Sequence, residues 1–254
     1  MIDIDNKKSN PLKALDILEG LSHFPSGASL AELCECTELN KSSAYRILCA
    51  LTERKYVIRD DVSKTYKLSF KILSLSSAVL DSIEIKKLAR TQLRTLSEIS
   101  GETVHLLCRD GNEGLYIDKI DTPNTIGLKS QVGKRIPLYC TGGGKVLLAF
   151  ADTGFRIKYL ETTQLTAHTK NTITNPEILM AELEKVRKQG YALDDQEHHD
   201  NITCVSVPVF SRNGDIEASI SISAPSYRFS TDLALSYIPA MKKQSSMITQ
   251  NMPF

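Results

Sequence analysis

The sequence predicts an α+β protein in two parts. Three helical segments and a short β-hairpin lead the chain, a long amphipathic helix follows, and strands mixed with segregated helices fill the rest. At 254 residues there is room for two domains, and a composition of 41% hydrophobic and 24% charged residues suits a chain that buries a sizeable core. No apolar run reaches the roughly 18 residues that a membrane helix needs. The N-terminal MIDIDNKKSN is acidic and polar rather than signal-like, so a cytoplasmic protein without a membrane partner is expected. Six cysteines (34, 36, 49, 108, 140 and 204) form no C-x-x-C pair and meet no histidines at zinc-finger spacing. Reduced thiols are expected, with no metal and no cofactor.

In residues 11–21, PLKALDILEGL, Pro11 suits a first helical turn, and Leu12, Leu15 and Leu18 are spaced for a buried stripe. HFPSGA (23–28) ends that helix, and Ser29 can cap the next. Asn40 is a natural cap for a third helix, in which Ala44, Ile47, Leu48 and Leu51 recur at i, i+3, i+4 and i+7. The opposite face carries Lys41, Ser42, Ser43, Tyr45 and Arg46, groups that reach phosphates and base edges from a helix in the major groove. An ordinary polar surface helix reads the same way from these residues alone. Helix three runs out near Arg54. Tyr56–Arg59 and Thr65–Leu68 then flank the polar turn DDVSK, making a hairpin whose Lys64 and Lys67 can touch a nucleic-acid backbone. Three helices followed by a hairpin is the order of a winged helix-turn-helix.

The net charge of +1 hides an uneven distribution. Residues 1–40 hold three Lys/Arg against seven Asp/Glu, whereas residues 41–71 hold eight against three. The basic excess begins where phosphate contacts would be needed.

Residues 83–100, IEIKKLARTQLRTLSEIS, predict a helix with Leu88, Gln92, Leu96 and Ile99 along one side and Leu93 beside them, stopped by Gly101. At about 1.5 Å per residue it would span roughly 27 Å. It reads as a linker helix that packs on a partner. Beyond it, Thr103–Arg109 and Gly114–Ile120 flank a hairpin turn, and Ile126–Val132 is a further extended run. Gly144–Ala151 and Gly154–Leu160 read as short helices. Asn175-Pro176 opens a helix that buries Leu179, Leu183 and Val186 and stops at Gly190. Thr203–Phe210 and Ile216–Ser223 surround the turn Arg212-Asn213-Gly214, and Ser230 caps a final helix through about Ile248.

Four motifs, in order and over nearly the whole length, resemble the IclR family of bacterial transcription regulators. They are LNKSSAYRIL, VGKRIPLYCTGGGKVLLA (132–149), LTAHTKNTIT (165–174), and DDQEHHDNITCVSVPVF with SISISAP (194–224). The resemblance is greatest to regulators of sugar-acid and keto-sugar catabolism. It implies a winged helix-turn-helix over 1–75, a linker helix over 76–100 used in dimerisation, and a GAF-like effector-binding domain over 101–254, an antiparallel sheet flanked by helices. It also implies a homodimer or homotetramer on double-stranded operator DNA. Glu38 departs from the family by standing where the helix turn usually has Gly, Cys34 by replacing a small Ala, and Asn201 by standing where Gly is common. Gly142-Gly143 replaces the small residues usual before Gly144-Lys145.

The family's ligand pocket carries over by motif onto Gly142, Gly143, Asp194, Cys204, Ser221 and Ser223. The chemistry suits a small hydroxy- or keto-carboxylate. Gly142–Gly144 precede a helix, where side-chain-free N–H groups can converge on an anion. Ser221 and Ser223, two apart on a strand, face one side, and Asp194 can accept from ligand hydroxyls. A flexible GGGK turn with solvent-facing serines is the plainer alternative. GGGK lacks the spacing of a nucleotide-phosphate loop. Asp195, Glu197, His198, His199 and Asp200 are contiguous and read as a solvated acidic loop rather than a metal site. Cys204 has acidic neighbours that disfavour a nucleophilic thiolate. His23, His105 and His168 are isolated and receive no role.

The expected function is therefore a DNA-binding regulator, a repressor in sign, modulated by a small carboxylate effector and not an enzyme. The competing class is an enzyme or a small-molecule or redox sensor that uses the C-terminal pocket and keeps the N-terminal domain for assembly. The pocket residues include no convincing base and nucleophile pair.

Overall fold

The computed structural model describes residues 9–121 and 130–253. The chain folds as two units, Met1–Ser82 and Ile83–Phe254.

The first unit contains α1 (Asn10–Ser22), α2 (Leu30–Thr37), α3 (Lys41–Glu53), β1 (Val57–Arg59), β2 (Tyr66–Leu68) and α4 (Lys71–Ser82). The buried face of α1 is offset from the stripe predicted for it. Leu12 and Leu15 are 52% and 53% exposed, while Ile17 and Leu21 are buried with Ala14 and Leu18 packed against them. The i, i+3, i+4, i+7 pattern holds, but it starts at Ala14. A capping box opens α2: Ser29 Oγ accepts from Glu32 N–H, and Glu32 Oε2 accepts from Ser29 N–H at 2.7 Å. It closes on Glu38 at φ 59°, a left-handed conformation that costs a residue with a Cβ about 1 kcal/mol.

Helix α3 starts from Asn40, whose Oδ1 accepts from Ser43 N–H at 2.9 Å, and buries Ala44, Ile47 and Leu48. The hairpin β1–β2 pairs Val57 with Leu68 and Arg59 with Tyr66. Asp60 Oδ1 accepts from Val62 and Ser63 N–H groups in its turn, which holds that carboxyl below its usual range. Ala28 and Tyr66 exchange two backbone hydrogen bonds, tying the hairpin to the entry of α2.

The second unit contains α5 (Glu84–Ser100), β3 (Thr103–Asp110), β4 (Glu113–Ile120), β5 (Arg135–Pro137), α6 (Gly142–Phe150), α7 (Thr153–Thr162), α8 (Pro176–Gln189), β6 (Ala192–Asp195), β7 (Ile202–Phe210), β8 (Ile216–Pro225), α9 (Thr231–Ser236) and α10 (Ile238–Asn251). One antiparallel sheet has the order β5-β4-β3-β8-β7-β6. Strand alternation splits its residues between two faces. Val104, Leu106, Val205, Val207, Ile220 and Ile222 form a core with Ala89, Leu93 and Leu96 of α5 and Met241 and Ile248 of α10. Ser219, Ser221, Ser223, Cys204 and Ser206 alternate with them along β7 and β8, on the face that α6 approaches.

Four expectations are corrected here. The linker is not one helix over 76–100, because Ile83 at φ −81°, ψ 97° separates α4 from α5. The buried side of α5 is not given to a partner: Ala89, Leu93 and Leu96 fill its own unit's core, and Ile99 is half exposed. The last helix is two, α9 and α10, because Pro239 in the first turn of α10 lacks the N–H that would continue the preceding helix. Of the extended run at Ile126–Val132, residues 126–129 lie outside the described residues and 130–132 are not strand; the local strand is β5.

Candidate functional site

Two places gather the functional side chains, one in each unit. On α3 the residues Lys41, Ser42, Tyr45 and Arg46 are exposed, Tyr45 by 49%, and Ser43 is half-buried. Burial of Ala44, Ile47 and Leu48 forces this division, since their neighbours must face outward. Ser43 N–H is committed to the Asn40 cap, and Ser42 Oγ donates to the same Asn40 oxygen at 2.8 Å. Both serines therefore sit at the positive end of the helix, where a phosphate is favoured. Arg46 borders a groove with Asn10, Pro11 and Ala14 of α1. Lys64 sits in the hairpin turn at φ 57°, and Lys67 is half-buried on β2 beside the inward Tyr66.

In the second unit a cavity of about 410 Å³ opens on the polar face of the sheet. Gly142, Gly143, Asp194, Cys204, Ser221 and Ser223 all line it. Sheet register explains the convergence. Asp194 pairs with Cys204 and Cys204 with Ser223 in one cross-strand row; Ser206 pairs with Ser221 and Ser221 with His105 in the next. The hydroxyls of Ser221 and Ser223 share a hydrogen bond of 3.0 Å, and both residues are buried.

The three glycines form the first turn of α6 rather than preceding it, with Thr141 as cap accepting from Gly144 N–H at 3.1 Å. The first N–H groups of a helix have no intrahelical acceptor, so those of Gly142 and Gly143 remain available. Close approach explains the glycines. A Cβ at Gly142 would lie 2.8 Å from Ser206 Oγ, and one at Gly144 would lie 2.6 Å from Leu138 Cα and 2.7 Å from Pro137 O. Ser206 Oγ is buried with no hydrogen-bond partner.

Electrostatics in the cavity follow from burial. Asp194 is pushed up to about 7 by desolvation and by nearby Glu197, against the hydrogen bond it accepts from Glu197 N–H at 2.7 Å. Burial raises the Cys204 thiol well above its usual value, with Asp194 adding to the effect, so it sits there as a neutral thiol. Desolvation also pushes His198 down to about 4 and His105 down to about 3.

Lys145 does not join the glycines at the cavity. It is buried and donates to Glu197, with Glu182 at 3.5 Å. Nor is the 195–200 segment a uniformly solvated loop. Asp195 and Asp200 are exposed, but Glu197 is buried on Lys145, and His198 and His199 line the cavity. Among the described residues no group of three or more His, Cys, Asp or Glu is placed to hold a metal.

Sequence reasoning missed Tyr116, Ser130, Lys134, His198 and His199 on the cavity wall, along with apolar Leu107, Ile136 and Ile202. It also left His105 without a role, yet that ring is buried behind two lining residues, paired with Ser221 and with its Nε2 2.7 Å from Ser130 Oγ, and its Nδ1 has no partner. His168 Nε2 meets Tyr139 OH at 3.0 Å. The strand alternation through Ser221 and Ser223 pointed at His105 only once the β3–β8 register was known.

Comparison with known proteins places both units. Residues 12–61 match the IclR helix-turn-helix domain, and residues 77–250 match the C-terminal domain of bacterial transcriptional regulator IclR. The HTH-type transcriptional regulator KdgR of Escherichia coli (strain K12) is 34% identical over 246 residues, covering 97% of this chain and 93% of that protein. The DNA-binding transcriptional repressor YiaJ of the same organism is 29% identical over 245 residues, 95% of this chain and 87% of that protein. The crystal structure of Thermotoga maritima IclR is 36% identical and superposes with a TM-score of 0.78 over 96% of this chain and 98% of that one. The chain belongs to the IclR family of bacterial transcriptional regulators.

Proposed function

We propose that this DNA-binding regulator is a repressor whose C-terminal unit, a GAF-like sensor, takes a small hydroxylated carboxylate. The single observation that carries the ligand class is the cavity floor. Two helix-start N–H groups, paired serine hydroxyls and a buried Asp194 with a raised pKa converge on one space. The amides suit a carboxylate, and the serines and Asp194 suit the hydroxyl groups of a sugar acid or keto acid. Gly142, Gly143, Asp194, Cys204, Ser221 and Ser223 are the assigned contacts. Lys41, Ser42, Ser43, Tyr45, Arg46, Lys64 and Lys67 are assigned to operator DNA, with α3 reading and the hairpin gripping the backbone. The repressor sign follows the relative named a DNA-binding transcriptional repressor.

The working divisions are residues 1–75 for DNA, 76–100 for linkage and 101–254 for sensing. A homodimer or tetramer is part of the reading: α4 buries none of its residues, and Leu73 and Val79 on it are 60% and 62% exposed. Among the described residues no helix is long and apolar enough to cross a membrane, which accords with the cytoplasm as the working compartment. Effector control requires unequal ligand affinity for the operator-bound and free states.

A thermal-shift screen of sugar acids and keto acids tests this reading. A stabilising carboxylate that also alters retention of DNA is the expected result. Stabilisation confined to apolar ligands would overturn the ligand class.

A further inference from the structure

The outer rim of the cavity is chemically unlike its floor. Floor groups Gly142, Gly143, Asp194, Ser221 and Ser223 are buried, whereas Lys134 and His199 are exposed and His198 is half-buried. Lys134 comes from the β5 edge of the sheet, and the two histidines come from the loop that follows β6 at the opposite edge. The loop crosses far enough for Lys134 to act on both rings electrostatically. The His198 ring lies between that of His199, tilted by 52° at a centroid distance of 4.1 Å, and that of His168, edge-on at 5.1 Å.

This grouping offers one cation and two imidazole donors on a single rim. Among the described residues no carboxylate forms an ion pair with Lys134, and the acid acting on His199, Asp200, is exposed. Burial and mutual repulsion hold the imidazoles neutral, each with an N–H to donate. The loop is also fixed in place. Thr169 Oγ1 donates to Gln196 O at 2.6 Å, Asn171 Nδ2 to Asp195 O at 2.9 Å, and Glu197 is anchored from within by Lys145. Donors held this way are preorganised for a ligand group.

We propose that the effector is a double anion, its first carboxylate on the Gly142 and Gly143 amides and its second anionic group, carboxylate or phosphate, seated by Lys134, His198 and His199. This rests on the effector-pocket reading above. A ligand with one carboxylate on the floor would leave the rim cation and both imidazoles unanswered. A hydroxylated chain between the two anions would lie over Ser221 and Ser223.

Calorimetric titration of the full-length protein with three probes tests the proposal. D-Gluconate has one anionic group, D-glucarate a carboxylate at each end, and 6-phosphogluconate a carboxylate and a phosphate. At least one double anion should bind about tenfold or more tighter than gluconate, the size of one charge-assisted contact. Which of the two it is names the second group. Lys134→Ala with His199→Asn should abolish the preference, so that the double anion binds this variant no tighter than gluconate does. Gluconate binding as tightly as both double anions, the preference surviving in the double variant, or no binding by any probe would each overturn the proposal. The underlying pocket reading fails separately, if a ligand that binds is unaffected by Ser221→Ala with Ser223→Ala.

Discussion

The ammonium of Lys145, one residue past the glycine turn of α6, is buried against the carboxylate of Glu197, one residue before the histidines of the rim. This pair joins two of the segments that line the cavity. Its desolvation is offset only while both partners are present. Lys145→Met should therefore destabilise the protein by about 3–5 kcal/mol, because Glu197 is left buried and unpaired. Denaturant unfolding checks this, and a loss below about 1 kcal/mol would mean that the site relaxes to admit water.

Asp194 makes stability depend on pH. Its folded pKa, about 7, lies above the unfolded value near 4, so the folded form holds a proton that the unfolded form has already lost. The associated stability is fully present below pH 4 and is lost as pH rises through 7. Asp194→Asn removes this dependence while its Oδ1 can still accept from Glu197 N–H. The stability gap between variant and wild type should open by about 1.4 kcal/mol per pH unit between 4 and 7, then level off. Unfolding curves at pH 4, 5.5, 7 and 8 give the slope directly.

Glu38 is the strained position of the DNA-binding unit. Its φ of 59° at the end of α2 is one that glycine adopts without a Cβ penalty. Glu38→Gly should stabilise the unit by about 0.5–1 kcal/mol, less than the relieved strain because glycine also loosens the unfolded chain. An upward shift in melting temperature is the readout; a lower one would mean that the Glu38 side chain contributes more than its backbone costs.

Arg46 stands on the exposed face of α3 beside the groove to α1. Arg46→Ala should weaken binding to a duplex selected from random DNA by about 1–3 kcal/mol if it meets a base edge. If it meets a phosphate, the salt dependence should shallow by about one charge instead. Fluorescence anisotropy at two or more salt concentrations separates the two, and unchanged binding at every salt would remove Arg46 from the interface.

Elements announced by local chemistry were legible in the sequence. Asn40, Ser29 and Asn175 cap helices as their side chains allow, and Asn-Gly at 213–214 turns β7 into β8. The six floor residues were reached through the motif resemblance, with the two-residue spacing of Ser221 and Ser223 as physical support. What was not legible depends on distant closure. The β6 strand is four residues long and exists by pairing with β7. Lys134, His198 and His199 line one cavity only because a loop from one sheet edge reaches toward the other. The α1 stripe was misplaced because Leu12 and Leu15 fit the helical template as well as Ala14 and Ile17 do, and only packing chooses between them.

The central claim is that ligand in the serine-lined cavity controls DNA binding by the first unit. Ser221 and Ser223 hydrogen-bond to each other, so replacing both with alanine removes donor and acceptor together and should leave the fold nearly unchanged. The direct measurement is anisotropy of the selected duplex with wild type and with Ser221→Ala, Ser223→Ala, titrated with a sugar acid that stabilises the wild type. Wild-type DNA affinity should change by about tenfold or more as ligand is added, while the double variant binds DNA normally and does not respond. A double variant that responds to ligand as the wild type does would contradict the account.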